Sequence, residues 1–171
     1  MIDPRPPVLK MPPHFKMYRD KAKSHLVLEA LDKAMERTEA LFGAVAEDRA
    51  FHRYAEGKWS IKEVLQHLSD CERIFAYRAL CFARKDPTVL PGFDEDLYGA
   101  TAAADSRTLA SILAEHRTVR QSTHSLFASF DQNRLQCVGT AGSSTLSVQD
   151  MGLIIAGHAE HHCDIHEQRY L

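Results

Sequence analysis

Residues 148–168 read VQDMGLIIAGHAEHHCDIHEQ, and their spacing predicts a helix whose apolar stripe runs into histidine. Val148, Met151, Ile155, His158, His162 and Ile165 recur at intervals of three and four, the repeat of one helical face. His158 and His162 then sit one turn apart on the same side, about 6 Å apart at the backbone. Zinc-binding helices use this spacing, because two imidazoles must converge on one ion. Ala159 follows the first histidine, so the HExxH arrangement of gluzincin-type proteases is absent. Glu160 is offset from the stripe and is not expected to act as a general base. His161 points elsewhere on the helical wheel, while His166 continues the face as a rim or supporting residue.

The start of this helix carries a second signal. Ser147 and Asp150 have capping-box spacing, and Leu146 with Met151 suits a hydrophobic staple. The same device recurs at Ser60 and Glu63, flanked by Trp59 and Val64, and predicts a helix from Ile61 to about Lys85. Asp86-Pro87 ends it, since a residue before proline avoids the helical region. Its stripe includes Val64, His67, Leu68, Cys71, Ile74 and Phe75, so His67 also points inward. Helical periodicity marks two more segments, about Ser24–Ala46 and about Arg107–Phe130, and no stretch alternates convincingly as a strand. The expected architecture is all-α, a four-helix bundle over 24–171 preceded by a Pro-containing arm over 1–23.

Buried imidazoles need partners. His67, His158 and His162 read either as hydrogen-bonded core residues or as ligands of one divalent metal ion, a site that bundles build from inward side chains on facing helices. His116, alone on the third helix, reads as a hydrogen-bonded core residue. Cys71 lies one turn after His67 and reads as a buried neutral thiol. Trp59 reads as packing a helix start.

Composition narrows the class. The chain has 171 residues, a formal net charge of −2, 44% hydrophobic and 26% charged residues. These values fit one globular domain and give no electrostatic case for nucleic-acid binding. No apolar run is long enough to suggest a membrane span. The prolines of MIDPRPPVLKMPP argue against a secretory signal, which leaves the cytoplasm as the expected location. The four cysteines form no CxxC pair and read as free thiols.

Heights along the helices give a topology. His67 lies about 10 Å above its cap, and His158 and His162 about 17 and 22 Å above theirs. The rings come level only if the second and fourth helices run antiparallel. The second and third must then be parallel, joined by a long crossover, and the segment Asp86–Asp105 is long enough to supply one. The expected order is up-down-down-up.

The segments GKWSIKEVLQHLSDCERIFAYRAL, LPGFDEDLY and LIIAGHAEHHCDIHEQRY resemble the DinB/YfiT-like superfamily, over roughly Leu28 to Tyr170. The resemblance rests on the W-S-x-x-E-x-x-x-H-L start and the G-H-x-x-H-H ending. It implies a four-helix bundle, often a homodimer, with a three-histidine metal site at His67, His158 and His162. Zinc or nickel is the expected ion, with iron or manganese as alternatives. Some members act with low-molecular-weight thiols, which implies a transferase using a small-molecule thiol. The alternatives are a hydrolase that acidifies metal-bound water, or a non-catalytic protein that binds a metal or small ligand. Arg78, eleven residues after His67 on the same face, is a candidate for the substrate pocket. Its other reading is an anchor for the long loop through Asp94, Glu95 or Asp96.

Overall fold

The computed structural model describes residues 9–170. The first eight residues of the expected arm lie outside them. The helices in chain order are α1 Pro13–Lys21, α2 Val27–Gly43, α3 Ile61–Ala83, α4 Glu95–Thr101, α5 Leu109–Ala128, α6 Gln132–Leu135 and α7 Val148–Ile165. A hairpin of β1 Val138–Ala141 and β2 Ser144–Ser147 precedes α7, and a π turn over His166–Tyr170 follows it. The four long helices α2, α3, α5 and α7 form the bundle.

Both expected capping boxes are present. Ser60 accepts from the Glu63 amide while Glu63 accepts from Ser60, and Ser147 and Asp150 repeat the exchange at α7. Each box supplies partners for amides that a helix start leaves open, so both boundaries fall at the residue expected.

Side-chain pairs give the helix directions. The start of α3 meets the end of α7, where the Tyr170 hydroxyl donates to the Trp59 carbonyl at 2.7 Å. Its far end meets the hairpin that feeds α7, with Phe82 against Gly139. Those two helices are antiparallel. Helices α3 and α5 are parallel, since Ser60 meets Asp105, Ser69 meets His116 and Glu72 meets Arg120 in rising order. Helices α2 and α7 are parallel too, from Val27 against Gly152 to Phe42 against His166. The bundle is up-down-down-up, as the histidine heights require.

The crossover holds more structure than the sequence suggests. Between α3 and α5 lie α4 and a short 3-10 turn over Ala104–Ser106, and Asp94 caps α4 by accepting from the Leu97 amide. The hairpin corrects the expectation of no strands. Its strands have four residues each, too short to show an alternating pattern. Gly142 makes the turn at φ 57, and Gly139 lets the backbone approach Phe82, whose ring lies 1.9 Å from where a Cβ would stand. Leu90 bridges to Ala141 and Lys10 to Thr145, so the crossover and the N-terminal segment are stitched to the hairpin edges.

The segment expected to be an arm contains α1, which lies against α7. Its proline stands at the helix start, where the missing N–H costs nothing. At the contact, a Cβ on Gly157 would come within 1.7 Å of the Tyr18 carbonyl oxygen. Glycine is required there by the closeness of the two backbones. No helix among the described residues is long and apolar enough to cross a membrane.

Candidate metal centre

The antiparallel pair α3 and α7 brings His67 level with His158 and His162. The Nε2 atoms of His67 and His162 each lie 3.1 Å from Nε2 of His158. All three rings are buried, between 5% and 9% exposed. Cys71, one turn after His67, places its Sγ 3.5 Å from Nδ1 and 3.7 Å from Nε2 of that ring. Ligand atoms of His67, Cys71 and His158 all fall within 4.8 Å of one another. This is a His/His/Cys cluster able to coordinate a metal ion, with a third imidazole alongside.

Hydrogen bonding alone does not account for the arrangement. A neutral imidazole nitrogen either donates one proton or accepts one. His158 Nε2 faces two other Nε2 atoms and cannot form a good hydrogen bond with both by accepting or donating alone. A metal ion between neighbouring rings would remove the conflict, because their nitrogens would then offer lone pairs to it instead of to each other. Two nitrogens 3.1 Å apart sit at zinc–nitrogen bond lengths of about 2.05 Å when the angle between the bonds is about 100°, within the range metal sites adopt. Protonation states agree. Burial pushes His67 down to about 4, and burial with the neighbouring imidazoles holds His158 and His162 well below the usual histidine range. The rings are neutral near pH 7, the form that ligates. One feature departs from common practice: His162 Nδ1 is buried without a partner among the described residues, where a ligating ring usually donates to a supporting acceptor.

The cluster forms one wall of an open cavity of about 380 Å³, within the size range of small-molecule sites. Helix α1 contributes His14, Phe15 and Tyr18, and the hairpin turn contributes Ala141 to Ser144. Trp59 packs its ring 4.5 Å from that of His67, and Phe75 and Phe93 add further aromatic wall. Glu95 and Asp96 reach the rim from α4.

Comparison with known proteins matches the DinB superfamily model over residues 30–165. The chain belongs to the DinB superfamily. Among solved structures, YfiT from Bacillus subtilis superposes with a TM-score of 0.74 over 99% of this chain and 93% of that one, at 13% identity. That protein is described as a probable metal-dependent hydrolase with an unusual four-helix bundle topology, and at this identity the likeness concerns fold. No curated protein sequence matches the chain.

Within this DinB-superfamily fold the expected site residues separate. His67, His158 and His162 come together. Arg78 lines the same cavity, 5% exposed, but forms no pair with Asp94, Glu95 or Asp96; it donates to the Pro91 carbonyl at 2.8 Å. His116 is a core residue bonded to Ser69 at 3.1 Å. Glu160 pairs with Arg37, away from the cavity. His166 leaves the cavity altogether and packs between Phe42 and Tyr170. This corrects its reading as a rim residue: its amide still bonds the His162 carbonyl, and each four-residue step turns about 40° further round the axis, so by His166 the side chain has left the face of His158. His161 does reach the cavity, beside Tyr18. The contribution of α1 escaped the sequence reading, although the three-residue spacing of Phe15 and Tyr18 hints at a face.

Proposed function

We propose that the protein is a metal-dependent hydrolase of small molecules, with one divalent transition-metal ion held by His67, His158 and His162. Cys71 stands beside the cluster; with no ion bound, burial and then the nearby acids Glu95 and Asp70 push its thiol pKa up. The carrying observation is a buried cluster on one side of an open cavity, in which Nε2 of His67 and of His162 each lie 3.1 Å from Nε2 of His158 and the Cys71 thiol stands within 4.8 Å of His67 and His158. The likeness to a protein described as a probable metal-dependent hydrolase supports the reading. Zinc and nickel are among the ions that imidazole ligands suit. Such an ion supplies Lewis acidity and acidifies bound water at neutral pH.

The chain's own residues do the rest. The three imidazoles hold the ion without neutralising its charge. Phe15, Trp59, Phe75 and Phe93 restrict water around the reacting group. His161, half-buried in the cavity wall, moves a proton between that group and solvent. Its pKa is lowered by burial and then by Lys21, against Asp164, which favours the neutral ring. Transfer of a small-molecule thiol, the first expectation from the sequence, would use the same centre.

One experiment separates these readings. Metal content is measured by mass spectrometry, and metal-loaded protein is offered ester and amide panels with and without cellular thiols. The expected result is about one ion per chain and hydrolysis without thiol. Both should be lost in His67→Ala, His158→Ala and His162→Ala, whereas His116→Gln keeps the ion. Full occupancy in His158→Ala would overturn the ligand set, and thiol-dependent conjugation alone would favour the transferase.

A further inference from the structure

Two arginines are buried to the same degree in this bundle and are treated oppositely. Arg120, 4% exposed, donates to both carboxylate oxygens of Glu72 at 2.8 and 2.9 Å and also to the Leu31 carbonyl. Arg78, 5% exposed, has one protein acceptor among the described residues, the Pro91 carbonyl. No carboxylate lies within ion-pair distance of it among those residues, although Glu95 and Asp96 line the same cavity. A buried cation without a counter-charge is costly, and burial lowers the pKa of Arg78 with no carboxylate to offset it. None of its nitrogens is among the sealed polar atoms that lack partners, so its free donors face the cavity. The ring centroids of Phe75 and Phe93 lie 5.7 and 5.5 Å from the guanidinium carbon, within cation–π reach.

We propose that Arg78 is an anion subsite and that the substrate of this site is a small monocarboxylate with an apolar or aromatic body. The inference rests on the cavity being the site of the proposed hydrolase and adds the substrate class to it. A guanidinium offers a carboxylate two parallel hydrogen bonds, which fixes orientation as well as position. Phe75 lies 5.7 Å from the Arg78 Cζ and 6.2 Å from the His158 ring, so the subsite and the histidine cluster are at most about 12 Å apart. A ring or short chain bridges that gap against Phe15, Phe75 and Phe93. The exposed acids Glu95 and Asp96 at the rim repel a second carboxylate, which argues for one anionic end.

Trp59 is the chain's single tryptophan and lies in the cavity wall, so its fluorescence reports occupancy. Metal-free protein is titrated with 3-phenylpropanoate, 4-phenylbutanoate and the matching carboxamides. Without metal, a carboxylate cannot bind through the ion, and the outcome is independent of whether the protein hydrolyses anything. At least one carboxylate is expected to bind about tenfold more tightly than its amide, the size of one charge-assisted bond set. Arg78→Met should abolish the preference. Arg78→Lys, which keeps the charge and loses the fork, should retain part of it and serves if the methionine variant does not fold. No preference in the unaltered protein, or an unchanged preference in either variant, would overturn the proposal.

Discussion

His116 shows how one buried side chain ties stability to pH. It is fully enclosed, bonded to Ser69 through Nδ1, with Nε2 lacking a partner among the described residues. Burial pushes its pKa down to about 4, from an ordinary value of 6.5. The unfolded chain therefore takes up a proton at His116 that the folded chain refuses, and stability falls as pH drops from 6.5 toward 4. Between about pH 7.5 and 5 the loss at this residue is about 2 kcal/mol. Buried His67, His158 and His162 contribute in the same direction, so the comparison needs a variant. His116→Gln, measured by urea unfolding in the presence of chelator, should lose about 2 kcal/mol less than the unaltered protein over that range. Equal losses would mean that His116 is protonated in the fold.

Helix α1 is the element on which the cavity depends most locally. It contributes His14, Phe15 and Tyr18 to the wall, and its seat on α7 requires the missing side chain of Gly157. A methyl group there meets the Tyr18 backbone, which cannot swing aside as a flexible side chain would. Gly157→Ala should lift α1 from the bundle while leaving α2, α3, α5 and α7 assembled. Trp59 fluorescence and proteolysis near Lys21 should both change, and stability should fall by about 1–3 kcal/mol. Unaltered proteolysis and fluorescence would place α1 outside the wall. The residue itself was legible in G-H-x-x-H-H, yet nothing in its neighbourhood announces a helix about 140 residues earlier in the chain as the reason for it.

At the scale of the whole molecule, the proposed metal site joins two helices that are distant in sequence. His67 stands on α3, and His158 and His162 on α7. An ion bound only by the folded chain stabilises it by mass action, by about 2.7 kcal/mol at one hundred times the dissociation constant. For a domain of this size that corresponds to a rise in Tm of about 5–10 °C. Zinc or nickel added to chelator-treated protein should produce such a rise, and His158→Ala should show none. A rise that survives in His158→Ala would place the stabilising ion elsewhere.

Local chemistry determined a good deal without any structure. The capping boxes at Ser60 and Ser147 set two helix starts, because a cap is made within four residues of chain. Spacings of three and four placed His67, His158 and His162 on inward faces, and rise per residue then demanded antiparallel α3 and α7 and a long crossover. Only the tertiary structure decided the rest. The hairpin before α7 depends on pairing and on Phe82 lying over Gly139. The seat of α1 depends on backbone approach at Gly157. Of the two readings of Arg78, substrate pocket or anchor on an acid of the crossover, the second does not hold, because α4 carries Glu95 and Asp96 to the cavity rim and leaves the guanidinium on the Pro91 carbonyl. Which charges meet is set by where a loop is pinned, and that is settled by contacts between residues far apart in the chain.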